Sequence, residues 1–179
     1  MYPDVFLAIL AGSEPNEHLK RWAGQLDDWM AFAGSKTWQG IPEARNDICR
    51  FFLARRAQRW LLMMDHDMVP LPGTQELLDS RAPVASARAW AKSGREAHPH
   101  TISAACLKVH RDALERIRDP WFRFAPHSCE CSCFFQRAYR AGYRPETVGI
   151  VGHRFPIVVI PGEGNAVFRF DSEIRRGQV

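Results

Sequence analysis

Asp65 and Asp67 lie two residues apart, with His66 between them, at the end of the apolar run Trp60-Leu61-Leu62-Met63-Met64. Two carboxylates at this spacing can hold a hard divalent cation and orient a phosphorylated ligand. An Asp-x-Asp tripeptide is common in solvated loops, so its weight comes from its flanks. The run before it reads as a short buried strand, and Pro70 and Pro72 stop the chain after it. A strand apolar on both faces suits the middle of a mainly parallel sheet covered by helices. In open α/β sheets, ligands collect beyond the carboxyl ends of the strands, where Asp65 and Asp67 fall.

Four further residues carry chemistry. Arg45 and Asn46 stand in the first turn of a helix opened by Pro42. An arginine there can reach a phosphate, helped by the helix N-terminus; the alternative is a surface arginine. Glu130 begins a second helix, where the partial positive charge of the terminus keeps a carboxylate ionised. His153 follows a strand and Gly152, where the chain can approach a ligand closely. The run Cys129-Glu130-Cys131-Ser132-Cys133 invites a zinc reading. Zinc sites, however, pair Cys-x-x-Cys units from separate elements, and no second pair exists. In a segment entering a helix, thiols at alternate positions are expected to diverge. A nucleophilic Cys131 would need a base, for which His127 and His153 are the candidates.

The elements that must position these groups follow from periodicity. A strand is expected at 5–11, then a helix at 17–30 with Leu19, Trp22, Ala23, Leu26, Trp29 and Met30 on one face. A second strand near 30–33 is only weakly signalled. The Pro42 helix buries Ile48, Phe51 and Phe52 and leads to the strand at Trp60. A short helix starts at Thr74, and strands follow at 83–87 and 101–109. Helices at 111–118 and 130–140, the latter capped by Gly142, precede strands at 147–151 and 155–160. The stretch 91–100, with Lys92, Gly94 and Arg95, has the composition of a substrate loop. One domain is expected over 1–162, with a partly disordered tail at 163–179.

Composition narrows the classes. The chain has 179 residues, 46% of them hydrophobic, enough for one domain with a proper core. Net charge is +4, and lysine occurs only at 20, 36, 92 and 108, so arginine carries most of the positive charge. Arginine suits bidentate phosphate contacts. A dense basic run is missing, which argues against nucleic acid as a partner. Five cysteines, an odd number, with no secretory signal, point to reduced thiols in a cytoplasm. No stretch is long enough to span a membrane.

Taken in order, these stretches resemble the small glycosyltransferases of the GT-A fold. Ala44-Arg45-Asn46 resembles their Ala-Arg-Asn segment, and Leu61 to Met68 with Pro70 their hydrophobic strand and Asp-x-Asp motif. Residues 105–111 and Pro120-Trp121-Phe122 resemble the block of the acceptor half. Glu130-Cys131 through Gly142-Tyr143 resembles the Glu-Asp motif and its helix, and Val151-Gly152-His153 the metal-binding histidine. The resemblance covers roughly residues 4–155. It implies a Rossmann-like α/β fold with a mainly parallel sheet and a UDP- or GDP-sugar donor of hexosyltransferase type. It also implies Mn²⁺ or Mg²⁺, and a glycan, protein or small-molecule acceptor. Asp67 would bind the metal directly, Asp65 the ribose or the metal through water, and His153 the metal as a second ligand. Arg45 and Asn46 would serve the cofactor, and Glu130 would activate or orient the acceptor. Two departures stand out. Cys131 occupies the position of the usual aspartate, and the region before Ala44 is short, leaving Asp27 or Asp28 to contact the nucleotide base. The rival readings are a nucleotide-sugar-binding module without activity and a metal-dependent phosphoesterase, which would need more clustered ligands.

Overall fold

Strand β1 (Val5–Ala11) and strand β3 (Trp60–Asp65) run side by side and parallel, with Leu10 opposite Asp65. Both are apolar on both faces because each face has its own core. Phe6, Ala8, Leu10, Leu61 and Met63 point one way, toward Ile48, Phe52, Leu114 and Phe134. Val5, Leu7, Ile9, Leu62 and Met64 point the other way, toward Leu19, Ala23, Leu77 and Leu78. The two-residue alternation of a strand thus serves two helical layers. The computed structural model describes residues 2–34, 37–89, 103–126, 128–155, 157–161 and 166–169, with side chains to 153 apart from Trp38.

The first helical layer holds α2 (Ile41–Ala54), α4 (Arg111–Ile117) and α5 (Glu130–Arg140). The second holds α1 (Glu17–Ala23) and α3 (Thr74–Asp79). The sheet also holds β2 (Trp29–Ala33), β5 (Val84–Arg88), β6 (Cys106–His110), β7 (Glu146–Phe155), β8 (Ile157–Pro161) and β9 (Ala166–Arg169). The strand order is β2-β1-β3-β6-β5-β7-β8-β9, and the short β4 (Met68–Pro70) pairs with β7 off this path.

The sheet is mixed, which corrects the expectation of a mainly parallel one. β1 is parallel to β2 and β3, and β5 to β7, but β6 runs antiparallel to both β3 and β5. The β7–β8, β8–β9 and β4–β7 pairs are antiparallel as well. An apolar run records that both faces are covered; it carries no information on strand direction.

Two boundaries also differ. The first helix stops at Ala23, with Gly24 as its cap, and residues 29–33 form the edge strand β2. Trp29 and Met30, expected in the core, are 40% and 39% exposed. Pairing with β1 outweighs the helical spacing of the apolar residues. At the other end, β9 pairs with β8, so the sheet continues past residue 162 into the expected tail; 163–165 and 170–179 lie outside the described residues.

One irregularity in β7 decides where the functional residues meet. Ser86 pairs with Thr147 and Arg88 with Ile150, so β7 carries one extra residue at this point. Gly149 takes φ +72° there. Bulges bend a strand and re-aim its later residues. Beyond this one, β7 leaves β5 and pairs with β4, setting His153 opposite Met68 and Gly152 opposite Val69. Thr74 fastens the junction: its hydroxyl donates to the Ile150 carbonyl at 2.7 Å and accepts from the Leu71 amide at 2.9 Å.

A Cβ on Gly149 would stand 2.2 Å from the Gly73 carbonyl oxygen, a backbone atom that cannot swing away. Gly149→Ala therefore combines positive-φ strain with a steric clash. We expect a loss of about 2–4 kcal/mol in urea unfolding.

Candidate functional site

A cavity of about 390 Å³ opens at the carboxyl ends of β1 and β3, with Leu10, Gly12, Asp65, Asp67, Ala105 and His153 among its lining residues. The loop carrying the two aspartates is fixed from below. Asn16 caps α1 by accepting from the Leu19 amide at 3.0 Å. Its amide nitrogen also donates to the His66 and Met68 carbonyls at 2.9 and 2.8 Å. The His66 amide donates to the Leu10 carbonyl at 3.1 Å. Asn16 is a functional residue that the sequence alone does not single out. Its capping role has a signal, an asparagine just before Glu17; its bridge to residues 66 and 68 has none.

Asp67 and His153 meet at the cavity, with Nε2 of the imidazole 3.1 Å from Oδ2 of the carboxylate. They come from the β3–β4 turn and β7, eighty-six residues apart in the chain. The structure thus brings together two of the residues expected to share a cation. Asp65 lines the same cavity.

Arg45 stands elsewhere than expected. Its side chain is 3% exposed and Asp65's is 26%. Nη2 donates to Asp65 Oδ1 and Oδ2 at 2.9 and 3.2 Å, and Nη1 to the Ala104 carbonyl at 2.9 Å. Arg45 therefore positions Asp65; it does not reach out to a phosphate. Burial works against its charge, but Asp65, Cys131 and Glu130 more than offset this and hold the guanidinium protonated.

Asn46 is also a correction. It donates to the Phe122 carbonyl and accepts from the Phe122 amide, both at 2.9 Å, and is buried. Both ends of its amide are engaged in holding the segment after cis-Pro120, so it serves the fold and not a cofactor. Asp28 is likewise engaged, by Arg55 at 2.5 Å and Gln58 at 2.6 Å.

Glu130 is the third correction. It is 2% exposed and sits behind Arg45, whose Nε is 3.9 Å from Oε1. It does not line the cavity, so it is not placed to touch an acceptor there. Among the described residues, its Oε2 has no hydrogen-bond partner, and neither has Arg45 Nε.

The thiols do not all diverge. Cys129 is the N-cap of α5, with extended φ −72° and ψ 165°, and its sulfur accepts from the Ser132 amide at 3.4 Å. Lying outside the helix, it can fold back toward Cys131. Sγ of both and an oxygen of Glu130 lie within 4.8 Å of one another. Cys131 donates to Glu130 Oε1 at 3.3 Å and accepts from the Ala104 amide at 3.4 Å. The hydrogen bond with Cys131 brings the Cys129 thiol down to about 5, against burial and with help from Ser132. The same contact, together with burial, pushes Cys131 up. His127 and the expected substrate loop at 91–100 lie outside the described residues.

A second cavity, of about 400 Å³, opens at the opposite end of β1 and β3 beside Tyr2, Asp79 and Lys108. Burial lowers the Lys108 ammonium to about 8. It donates to the Leu78 and Ser80 carbonyls at 2.5 and 2.7 Å, which closes the C-terminal end of α3. That cavity lies at the amino ends of β1 and β3, away from the two aspartates.

No family model matches the chain, and no curated protein matches it. Solved structures do. A197 from STIV is similar with a TM-score of 0.66 at 13% identity, over 93% of this chain and 94% of that one. A glycosyltransferase involved in the glycosylation of the major capsid of PBCV-1 is similar with a TM-score of 0.53 at 15% identity, over 80% of each chain. The chain therefore has a glycosyltransferase-like fold, a mixed sheet between helices. Among the described residues, no helix is long and apolar enough to cross a membrane.

The Arg45–Asp65 pair yields a test. Burial holds the Asp65 carboxyl above its ordinary value of 3.8, and Arg45 pulls it back down. For a carboxyl raised in the folded state, the stability tied to it is greatest below the unfolded value. It is lost as pH rises through the folded value. Arg45→Met removes the counter-pull and leaves a partly buried carboxylate unpaired. We expect a loss of about 3–5 kcal/mol at neutral pH, less at mildly acid pH, and partial recovery when Asp65→Asn is added. Urea unfolding at the two pH values measures this; equal losses at both would mean that Asp65 is not the group responsible.

Proposed function

We propose that the protein is a metal-dependent glycosyltransferase that moves a hexose from a UDP- or GDP-sugar to an acceptor. The observation that carries this reading is the 3.1 Å approach of His153 to Asp67 at a cavity that Asp65 also lines. The similarity in fold to a glycosyltransferase supports it. Two carboxylates and an imidazole are a donor set suited to Mn²⁺ or Mg²⁺. Such an ion would supply Lewis-acid chemistry, offsetting the negative charge of a leaving diphosphate.

The chain's own residues divide the work. Asp67 and His153 would hold the ion. Asp65, oriented by Arg45, faces the ribose or reaches the ion through water. Asn16 keeps the loop at 65–68 from shifting when charge enters the cavity. Gly12, at the carboxyl end of β1, leaves room for a ligand against the backbone. Glu130 acts behind this layer, through Arg45. The five cysteines are free thiols, which suits the cytoplasm as the compartment.

Glu130's burial and Cys131 in place of the family's usual aspartate favour a second reading: nucleotide-sugar binding without transfer. Among the described residues, the carboxylates lining the cavity are Asp65 and Asp67, and the proposal gives both to the donor side. Incubating the protein with Mn²⁺ and a panel of UDP- and GDP-sugars separates the readings. Release of UDP or GDP supports the enzyme; saturable binding without release supports the binding module.

The metal assignment has its own test. Asp67→Ala and His153→Ala should each weaken Mn²⁺-dependent UDP or GDP binding by at least about tenfold, which is roughly 1.4 kcal/mol. Asp65→Asn should be milder. Isothermal titration with and without Mn²⁺ measures the effect, and unchanged metal-dependent affinity in Asp67→Ala would remove the central assignment.

A further inference from the structure

Behind the Asp67–His153 cavity, at the start of α5, lies a cluster that the proposed transfer reaction does not use. We propose that Cys129, Cys131 and Glu130 form a second metal site, which binds one soft divalent cation of the zinc class. Three observations carry this. The first is convergence: two sulfurs and one carboxylate oxygen lie within 4.8 Å of one another. Zinc bonds of about 2.3 Å to sulfur and 2.0–2.2 Å to oxygen would set tetrahedral donors about 3.5–3.8 Å apart. The Cys131–Glu130 edge is 3.3 Å, close to that spacing.

The second is an unpartnered group. Glu130 is 2% exposed, and among the described residues its Oε2 has no hydrogen-bond partner. A buried carboxylate oxygen left unsatisfied is costly, and a cation bound by this carboxylate offsets that cost.

The third is charge balance. Arg45 faces the carboxylates of Asp65 and Glu130, so the buried cluster carries one net negative charge before either thiol ionises. A divalent cation offsets that charge and the charge of the thiolates that bind it. Two thiolates favour the zinc class over Mn²⁺ or Mg²⁺, so this site and the Asp67–His153 site select different ions. Cys129 is only half-buried and gives the ion a way in. The site also has a mechanical consequence. Cys131 accepts from the Ala104 amide while Arg45 holds the Ala104 carbonyl, so an ion here stiffens the support under Asp65.

The test uses the full chain, reduced and stripped of metal by chelator. Zn²⁺ titration should show one equivalent bound with a Kd below about 1 μM. Co²⁺ or Cd²⁺ should give a thiolate-to-metal charge-transfer band. Cys129→Ser, which keeps a good N-cap residue, should weaken binding at least about a hundredfold and abolish the band. Glu130→Gln should weaken it about tenfold. Cys133→Ser and Asp67→Ala should leave it unchanged, the latter separating this site from the proposed catalytic ion. A missing charge-transfer band, or Zn²⁺ affinity that survives Cys129→Ser in a chain with native circular dichroism, overturns the proposal. Equal loss in Cys133→Ser overturns it as well.

Discussion

The buried guanidinium of Arg45 is the constraint on which the rest of the molecule depends. A charge that is 3% exposed needs partners on every side. It draws them from three elements besides its own helix: Asp65 at the end of β3, the Ala104 carbonyl ahead of β6, and Glu130 at the start of α5. The charge therefore fixes where two helices and two strands end relative to one another. Phe122 lies under the guanidinium at 5.8 Å and is clasped by Asn46, the next residue along α2. One turn of one helix thus sets both the electrostatics behind the cavity and the packing of the loop beneath it.

On this base, the cavity is assembled from parts far apart in the chain. The β3–β4 turn supplies Asp67 and is held by Asn16 from α1. The β7 bulge at Gly149 delivers His153. Neither part makes a site alone, and their meeting depends on β7 switching from a parallel partner, β5, to an antiparallel one, β4. β7 runs in the same direction as β5, and the reversal of the chain between β3 and β4 lays β4 antiparallel beside it, next to the turn that carries Asp67.

Much of this is legible in the sequence. Trp60 to Met64 reads as a buried strand because both its faces are apolar, and the structure shows a core on each face. The helices at Pro42 and Glu130 carry their own punctuation. The family resemblance pairs Asp67 with His153, and the structure brings them together. What the sequence conceals has physical causes. Arg45 reads as a surface phosphate binder because the sequence does not show that Asp65 and the Ala104 carbonyl lie within its reach. Glu130 reads as exposed because a helix N-terminus usually is; here Arg45 and Cys131 cover it. Cys129 and Cys131 diverge only on the assumption that both are helical, and the N-cap residue is extended. Trp29 and Met30 match a helical face in sequence and lie in an edge strand, because pairing with β1 is a long-range interaction.

If Glu130 supports Arg45 from behind, the cavity's own carboxylates belong to the donor, and the proposed function rests on a cation shared by Asp67, His153 and the donor phosphates. Pulsed electron paramagnetic resonance of Mn²⁺ bound with UDP tests that directly. The account predicts phosphorus and imidazole nitrogen couplings on the same ion, with the nitrogen coupling absent in His153→Gln. Phosphorus coupling without any nitrogen coupling in the unaltered protein, or nitrogen coupling that persists in His153→Gln, would contradict it.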